Sequence, residues 1–225
     1  MTDVLSLRLS RSVSTRVQLT PETRAIAGQF GIGADDEHRI DLYKDLPILL
    51  GRGRVLYITG ESGAGKSSLL RDIYREAAGH GGVRRFDTFD IGHIPDRPLV
   101  NLFGDLHEAV EMLTRSGISE PFVWLRRPPE VSDGQRYRLQ IALTMAQARR
   151  CGSDQMPLVA LDEFLAKLDR ETARACARQV RKAADAFGIC FVVATTHTDI
   201  EEDLDPNLKV LLRLNVPPEL QRRLV

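Results

Sequence analysis

One run of consecutive residues combines glycine, lysine and hydroxyl side chains at a spacing that can bind phosphate. It fits the phosphate-loop pattern G-x-x-x-x-G-K-[ST] at every fixed position. The glycines let backbone N–H groups turn inward around an anion, the lysine can reach the β- and γ-phosphates, and the hydroxyl can ligate Mg²⁺. We therefore expect a nucleoside triphosphate and Mg²⁺ to be bound here. The predicted binding residues are Gly60, Glu61, Ser62, Gly63, Ala64, Gly65, Lys66, Ser67 and Ser68.

The sequence on either side of this run supports the same interpretation. An apolar, β-favouring segment at 55–59 precedes it, and Leu69, Leu70 and Ile73 follow at helical spacing. A strand, a loop and a helix in that order form the context that a phosphate loop requires. The alternative, a glycine-rich turn without a ligand, would not need these two flanking elements.

A pair of acids provides the second chemical signal. Asp162 and Glu163 directly follow the apolar segment at 156–161, which is typical of a buried strand. Asp162 can hold Mg²⁺ through water, and Glu163 can orient or deprotonate an attacking water. Capping of the following helix is the structural alternative for the two carboxylates.

Three further motifs lie downstream of the phosphate loop in a fixed order. The segment Val131-Ser132-Asp133-Gly134-Gln135 is similar to the signature LSGGQ, and it precedes the strand that ends in the two acids. Asp169 lies where a D-loop aspartate would follow those acids, and His197 follows the next apolar strand. From Gly60 to His197, the chain resembles the ABC ATPase family.

This resemblance implies specific partners and roles. ABC ATPases hydrolyse ATP as head-to-tail dimers, so Ser132, Gly134 and Gln135 would contact ATP held by the phosphate loop of a second subunit, in a homodimer or a heterodimer. Asp169 would face the dimer seam, and His197 would contact the γ-phosphate within its own subunit. The implied catalytic residues are Glu163, His197 and Lys66, and the implied magnesium ligands are Ser67 and Asp162.

The chain also departs from the family pattern. Asp133 replaces the first signature glycine and adds negative charge near the partner's phosphates, while Asp96 stands where the family usually has its Q-loop glutamine. The short stretch before the signature predicts an abbreviated helical subdomain at about 99–150. For the aromatic residue that stacks on adenine, we favour Phe30, with Tyr43 as the alternative.

These departures favour one subgroup. The chain looks like the small soluble ABC ATPases that occur alone or fused to acetyltransferase-like domains, in which the ATP cycle would act as a switch or clamp on a macromolecule. Nucleic acid is one candidate client because four cations recur every fourth residue, although a solvated helix face also explains them. They are Arg170, Arg174, Arg178 and Lys182. The ATP-binding subunit of a membrane transporter is the alternative function.

The elements that must position these residues alternate along the chain. The pattern predicts strands near 13–19, 39–42, 55–59, 86–91, 156–161, 189–194 and 209–214, and a further apolar stretch lies at 47–50. Helical patterns follow Pro21 as far as about Gly28, and recur at 101–114, 135–150 and 170–186. We therefore expect a single α/β domain over 1–225, with a P-loop NTPase core of mostly parallel strands flanked by helices and a β-rich N-terminal part.

Composition excludes other classes of protein. The 225 residues are 43% hydrophobic, and Lys plus Arg and Asp plus Glu both total 31, so the net charge gives no general sign of nucleic-acid binding. No apolar run is long enough for a membrane span, and the N-terminus lacks the apolar core of a secretory signal. We expect a cytoplasmic protein whose Cys151, Cys176 and Cys190 are reduced, interior thiols rather than metal ligands.

Overall fold

The computed structural model describes residues 4–15, 18–31, 38–86, 94–166 and 168–222. The strands are β1 (Val4–Thr15), β2 (His38–Gly51), β3 (Val55–Gly60), β4 (Val83–Phe86), β5 (Met156–Leu161), β6 (Cys190–Ala194), β7 (Leu208–Arg213) and β8 (Val216–Arg222). The helices are α1 (Pro21–Phe30), α2 (Lys66–Ala77), α3 (Leu106–Arg115), α4 (Pro121–Trp124), α5 (Asp133–Arg149), α6 (Arg170–Phe187) and α7 (Glu201–Leu204). Single 3₁₀ turns lie at Leu99–Leu102 and Pro128–Glu130.

A six-stranded sheet forms the centre of the molecule, in the order β4-β5-β6-β3-β7-β8. Every pairing is parallel except that of the edge strand β8 with β7. Strands β3 and β6 are buried almost throughout, because apolar residues of the flanking helices cover both faces of the sheet. The carboxyl ends of β5, β6 and β3 are neighbours at one edge, so the segments that follow these three strands are brought together there.

The antiparallel hairpin of β1 and β2 packs against the phosphate-loop helix α2. A buried cluster joins them: the Tyr43 hydroxyl donates to Asp72 Oδ2 at 2.5 Å, and Arg11 Nη1 donates to Asp72 Oδ1 at 2.6 Å. Although burial opposes ionisation, the hydrogen bonds from Tyr43 and Arg11 hold the pKa of the Asp72 carboxyl below its usual value. The β-rich N-terminal part is therefore attached to α2 through charge as well as apolar packing.

The stretch at 99–150 contains the helices that lie between β4 and β5. The expected single helix over 101–114 is wrong, because a 3₁₀ turn ends at Leu102 and α3 begins only at Leu106. Gly104 interrupts the backbone, and the Asp105 side chain accepts from the Glu108 N–H at 2.8 Å, which starts a new helix. The expected helix over 135–150 is present as α5.

Three other expectations need correction. Helix α1 does not stop at Gly28 but at Phe30, because Gly31 adopts the left-handed conformation (φ 64°) that ends the helix. The strands expected at 13–19 and 39–42 have wrong bounds: β1 ends at Thr15, and β2 continues through the apolar stretch at 47–50, where its two-stranded sheet accommodates Pro47. Strand β8 was not expected, since it contains Pro217 and Pro218, which an edge strand tolerates.

Within the part of the chain that the structure describes, no helix is both long and apolar enough to cross a membrane. The three cysteines are free thiols; Cys176 and Cys190 are buried, as expected, whereas Cys151 is only half-buried. Most of the strand expected at 86–91 lies outside the described residues. Its first residue, Phe86, is the last residue of β4.

Candidate phosphate site

The phosphate loop connects the central strand β3 to helix α2. Gly60 is required at its start, because a Cβ atom there would lie 1.8 Å from the Leu212 carbonyl oxygen of β7. Gly65 ends the loop at φ 93°, with the Leu42 side chain of β2 packed 3.2 Å from the position of a Cβ. Lys66 Nζ donates to the carbonyls of Gly60 (2.9 Å) and Glu61 (2.6 Å), and burial lowers the pKa of its ammonium.

A hydroxyl and a carboxylate meet beside this loop. Ser67 Oγ donates to Asp162 Oδ1 at 2.8 Å, and the Glu163 N–H donates to the same oxygen at 3.0 Å. The two side chains come from α2 and the end of β5, so the contact depends on the order of strands in the sheet. Hydroxyl and carboxylate oxygens are hard ligands of the kind that Mg²⁺ combines with water and phosphate oxygens. Ser67 and Asp162 therefore fit a magnesium ion.

Glu163 has an uncommon backbone conformation. Its φ is 49°, in the left-handed region that non-glycine residues rarely occupy, and the side chain is exposed. Two hydrogen bonds maintain the turn: Ala166 donates to the Glu163 carbonyl at 3.0 Å, and Phe164 donates to Ala194 of β6 at 2.9 Å. Strained residues of this kind cluster at functional sites, and this one directs its side chain into a cavity.

The cavity has a volume of about 490 Å³ and lies at the carboxyl edge of the sheet. It brings together the phosphate loop and both acids, which are more than ninety positions apart in sequence. Its lining includes Lys66, Ser67, Asp162, Glu163, Thr195 and Thr196. The two threonines belong to none of the predicted motifs, although their position directly after β6, the strand between β5 and β3, could have indicated them.

Other predicted residues lie outside this cavity. Among the described residues, Ser132, Gly134, Gln135, Asp169 and His197 do not line it. For Ser132, Gly134, Gln135 and Asp169, this position is compatible with a site shared between two subunits. The contact expected for His197 within its own subunit has no direct support.

The signature segment forms the start of α5. Ser132 is the N-cap: its Oγ accepts from the Gln135 N–H at 3.2 Å, and Gln135 Oε1 accepts from the Ser132 N–H at 3.0 Å. This reciprocal capping box satisfies both polar side chains within a single turn. Asp133 is 82% exposed and lies 3.9 Å from Arg136, which leaves its carboxylate largely in solvent.

Asp169 and His197 are held by local contacts. Asp169 caps α6 by accepting from the Thr172 N–H at 2.9 Å, and hydrogen bonding from the Thr172 side chain and then its N–H lowers the pKa of the Asp169 carboxyl. The His197 backbone donates to Thr195 Oγ1 at 3.2 Å, and its carbonyl accepts from the buried Tyr57 hydroxyl.

The structure separates the two candidates for adenine stacking. Tyr43 is only 2% exposed, and its hydroxyl is bound to Asp72, so neither ring face is free for a base. Phe30 is 71% exposed at the end of α1, directly before Gly31. Phe30 remains our prediction for the stacking residue.

The substitution at the Q-loop position also has a local explanation. Asp96 is exposed, and Arg127 Nη1 lies 3.4 Å from its carboxylate. Arg127 also binds Glu130 at 2.9 Å. The carboxylate of Asp96 thus participates in a surface ion-pair group rather than lining the phosphate cavity.

Ion pairs occupy most of the basic stripe on α6. Arg170 Nε binds Asp199 at 2.8 Å, while Arg174 and Arg178 each bind Asp203 at 2.5 Å. These contacts join α6 to the segment that contains α7. The expectation of an open track of cations for nucleic acid is therefore not supported for these three arginines.

Comparison with known proteins gives consistent results. No protein-family model matches the chain. It is 24% identical over 222 residues to a methionine import ATP-binding protein of Rhodococcus jostii, with 84% of this chain covered. It is 27% identical over 196 residues to a sulfate/thiosulfate import ATP-binding protein of Bacillus cereus, with 73% of this chain covered. The chain spans 63% of the length of the first relative and 51% of the second.

A solved structure agrees over almost the entire chain. It is a dimeric, post-hydrolysis state of an ATP-binding cassette with ADP and phosphate bound, at a TM-score of 0.61 and 15% identity. The match covers 99% of this chain and 100% of that one. The chain has the P-loop NTPase fold of the ABC ATP-binding cassette. Its sequence relatives are ATP-binding proteins of import systems.

Proposed function

We propose that this chain binds ATP with Mg²⁺ in the phosphate cavity and hydrolyses it. One observation carries the proposal: the Ser67 hydroxyl and the Asp162 carboxylate are in contact at 2.8 Å, with Lys66 and Glu163 lining the same cavity. The similar solved cassette, which holds ADP and phosphate, gives further support.

Each residue has a distinct chemical task in this proposal. Lys66, now bound by two carbonyls of its own loop, turns its ammonium to the β- and γ-phosphates. Ser67 and Asp162 hold Mg²⁺, which neutralises charge that develops on the phosphates. Glu163 accepts the proton of the attacking water. Thr195 and Thr196 add hydroxyl residues to the lining of the cavity.

We further propose that a second cassette, either another copy or a different chain, completes the site. Ser132 and Gly134 lie at the N-terminal end of α5, a 17-residue helix whose first N–H groups favour an anion. They do not line the cavity of their own chain, so they are available to ATP held by a partner.

Trapping the dimer tests this proposal. Glu163→Gln should retain ATP without consuming it, and light scattering with ATP and Mg²⁺ should then give twice the 25.2 kDa mass of the chain. The double variant with Lys66→Ala is the matched control, which should stay at 25.2 kDa because it cannot hold the nucleotide. A single 25.2 kDa species in Glu163→Gln with bound ATP would exclude the homodimer.

Two biological roles are consistent with an ATPase of this kind. A soluble switch or clamp on a macromolecule is supported by the departures at Asp96 and Asp133. The ATP-binding subunit of a transporter is supported by the relatives, which are named import ATP-binding proteins. Nucleic acid is the weaker choice for a macromolecular client, because Asp199 and Asp203 occupy three arginines of the basic stripe.

Purification of the native protein distinguishes these two roles. Co-purification with a polytopic membrane protein, together with ATPase activity that depends on it, would support the transporter subunit. Full ATPase activity without detergent or a membrane partner would support the switch. For nucleic acid, we expect little effect of charge reversal at Arg174 and Arg178 on the salt dependence of binding, because both side chains already bind Asp203.

A further inference from the structure

An ionic seam joins α6 to the segment that follows β6, and we define it by Arg170, Arg174, Arg178, Asp199 and Asp203. The acids are the less exposed partners: Asp199 is 22% exposed and Asp203 only 9%. Exposed ion pairs contribute little each, but one carboxylate shared by two arginines has a better-defined geometry. The hydrogen bond from Arg174 lowers the pKa of Asp203, and Arg178 reinforces it.

The two ends of this seam differ in what else they contact. Asp203 lies in α7 and binds only arginines of α6 among the ion pairs that the structure describes. Asp199 binds Arg170 through Oδ2 at 2.8 Å, and its other oxygen lies 3.7 Å from His197 Nδ1. A single carboxylate thus lies between an arginine of α6 and the histidine that follows β6.

Arg170 is also the first residue of α6, directly after its N-cap Asp169. The chain of neighbours therefore runs from Asp169 through Arg170 and Asp199 to the His197 ring. On its other side, the His197 backbone is fixed by Thr195 and Tyr57. With the backbone held, the Asp199 carboxylate lies 3.7 Å from Nδ1, close enough to favour this nitrogen on the α6 side.

We propose that Asp199 is a positioning residue that, with Arg170, couples the start of α6 to the orientation of His197. This inference rests on the proposed function and on two roles that the resemblance implies, the contact of His197 with the γ-phosphate and of Asp169 with a partner. Asp199 keeps Nδ1 on the α6 side, which leaves Nε2 for a phosphate oxygen. A partner that displaces Asp169 also moves Arg170 and hence the ring, so assembly and turnover are linked within one subunit.

Matched variants separate this role from simple stabilisation. Asp199→Asn removes the charge with little change of shape, and Arg170→Gln removes the exposed partner with little risk to folding. Asp203→Asn is the control, since it weakens the same seam without touching His197. All three are compared with the wild type in thermal unfolding, so that any general loss of stability is known.

The first measurement needs no nucleotide. In ¹⁵N-histidine NMR spectra, the ring signals of His197 are identified by their loss in His197→Gln. We expect Asp199→Asn and Arg170→Gln to shift these signals and Asp203→Asn to leave them in place. Unmoved ring signals in Asp199→Asn would overturn the positioning role, even if the protein proved not to hydrolyse ATP.

The second measurement is steady-state ATP hydrolysis. We expect Asp199→Asn to lower kcat on the order of 10-fold with KM within about twofold, because a misplaced group affects the reaction more than binding. Asp203→Asn should leave kcat near that of the wild type. An equal loss in both variants would reduce Asp199 to a structural residue and overturn the inference. Absence of ATPase activity in the wild type would instead count against the proposed function, with the NMR result still deciding the positioning role.

Discussion

The phosphate cavity and the start of α5 are the two regions that we propose to meet an anion, yet they are organised differently. In the cavity, side chains from α2 and the end of β5 bind each other across the sheet, as Ser67 and Asp162 do at 2.8 Å. At the start of α5, Ser132 and Gln135 bind only each other, three residues apart. The first region depends on the whole fold, while the second depends on a single turn.

This difference indicates which part of the site one chain can supply. The cavity has its phosphate loop, candidate metal ligands and candidate base in place without a partner. The start of α5 offers backbone N–H groups at a helix end but also presents the exposed carboxylate of Asp133, which repels phosphate. We expect substitutions in the cavity to have large effects on ATP binding and turnover. Substitutions at the start of α5 should have small effects on dimer formation.

Loss of the phosphate-loop lysine should have the largest effect. Lys66→Ala removes the ammonium that neutralises the phosphates, so we expect ATP affinity to fall by more than about 10²-fold, as for other preorganised charge contacts. Isothermal titration with ATP and Mg²⁺ measures this. Lys182→Ala, on the exposed face of α6, is the control. Retained affinity in Lys66→Ala would exclude the cavity as the nucleotide site.

The candidate base should separate binding from turnover. Glu163→Gln keeps the shape of the side chain and the φ of 49° but cannot accept a proton. We expect kcat to fall at least ~10²-fold, the usual size of a general-base effect, with ATP affinity unchanged. Glu76→Gln, on an exposed face of α2, provides a control for loss of a carboxylate outside the cavity. Normal turnover in Glu163→Gln would remove this residue from the mechanism.

The sequence identifies as candidates the parts of the site that are encoded locally. The phosphate loop and the acids after β5 are recognisable because each needs a short run of residues beside a strand. The lining by Thr195 and Thr196 could not be recognised from residue type, since common hydroxyl residues acquire a role only through the strand order β5-β6-β3. The residue roles themselves remain predictions.

Long-range pairing explains the remaining differences. The arginines of α6 resemble an open cationic stripe because their partners, Asp199 and Asp203, lie some thirty residues further along the chain. Tyr43 qualified as a stacking residue because its burial against Asp72 depends on packing of the hairpin on α2. Sequence periodicity reports one element at a time and contains no information about which element covers it.

Asp72, whose carboxylate attaches the hairpin of β1 and β2 to α2, offers a test of the region that forms within one chain. Asp72→Asn weakens its contacts to Tyr43 and Arg11, and we expect the free energy of unfolding to fall by about 1–3 kcal/mol. Because the pKa of Asp72 is lower in the folded state, this stabilisation is present above the ordinary aspartate pKa. It is lost as the pH falls through the lower, folded-state pKa. Urea unfolding at neutral and acidic pH measures both effects.

The control for this variant is Asp45→Asn, which breaks the exposed pair with Arg8. Exposed pairs contribute about 0–1 kcal/mol, so Asp45→Asn should change stability little at either pH. Equal losses in the two variants would mean that the buried cluster contributes no more than a surface contact.

The smallest effect is expected at the start of α5, where two consequences of one substitution have opposite signs. Asp133→Asn removes the negative charge from the first turn of α5, where a carboxylate stabilises its own helix by roughly 0.3–1 kcal/mol. We therefore expect the isolated chain to unfold slightly more easily. In the Glu163→Gln background with ATP, the same change removes repulsion of the partner's phosphates, and the dimer should tighten roughly 2- to 5-fold, which corresponds to a similar free energy. Sedimentation at low and high salt measures the dimer constant, and the gain should shrink at high salt because an exposed charge is screened.

Glu22→Gln, an acid in the first turn of α1, is the matched control that weakens a helix without affecting the dimer. An unchanged dimer constant in Asp133→Asn would mean that the start of α5 does not approach the partner's ATP.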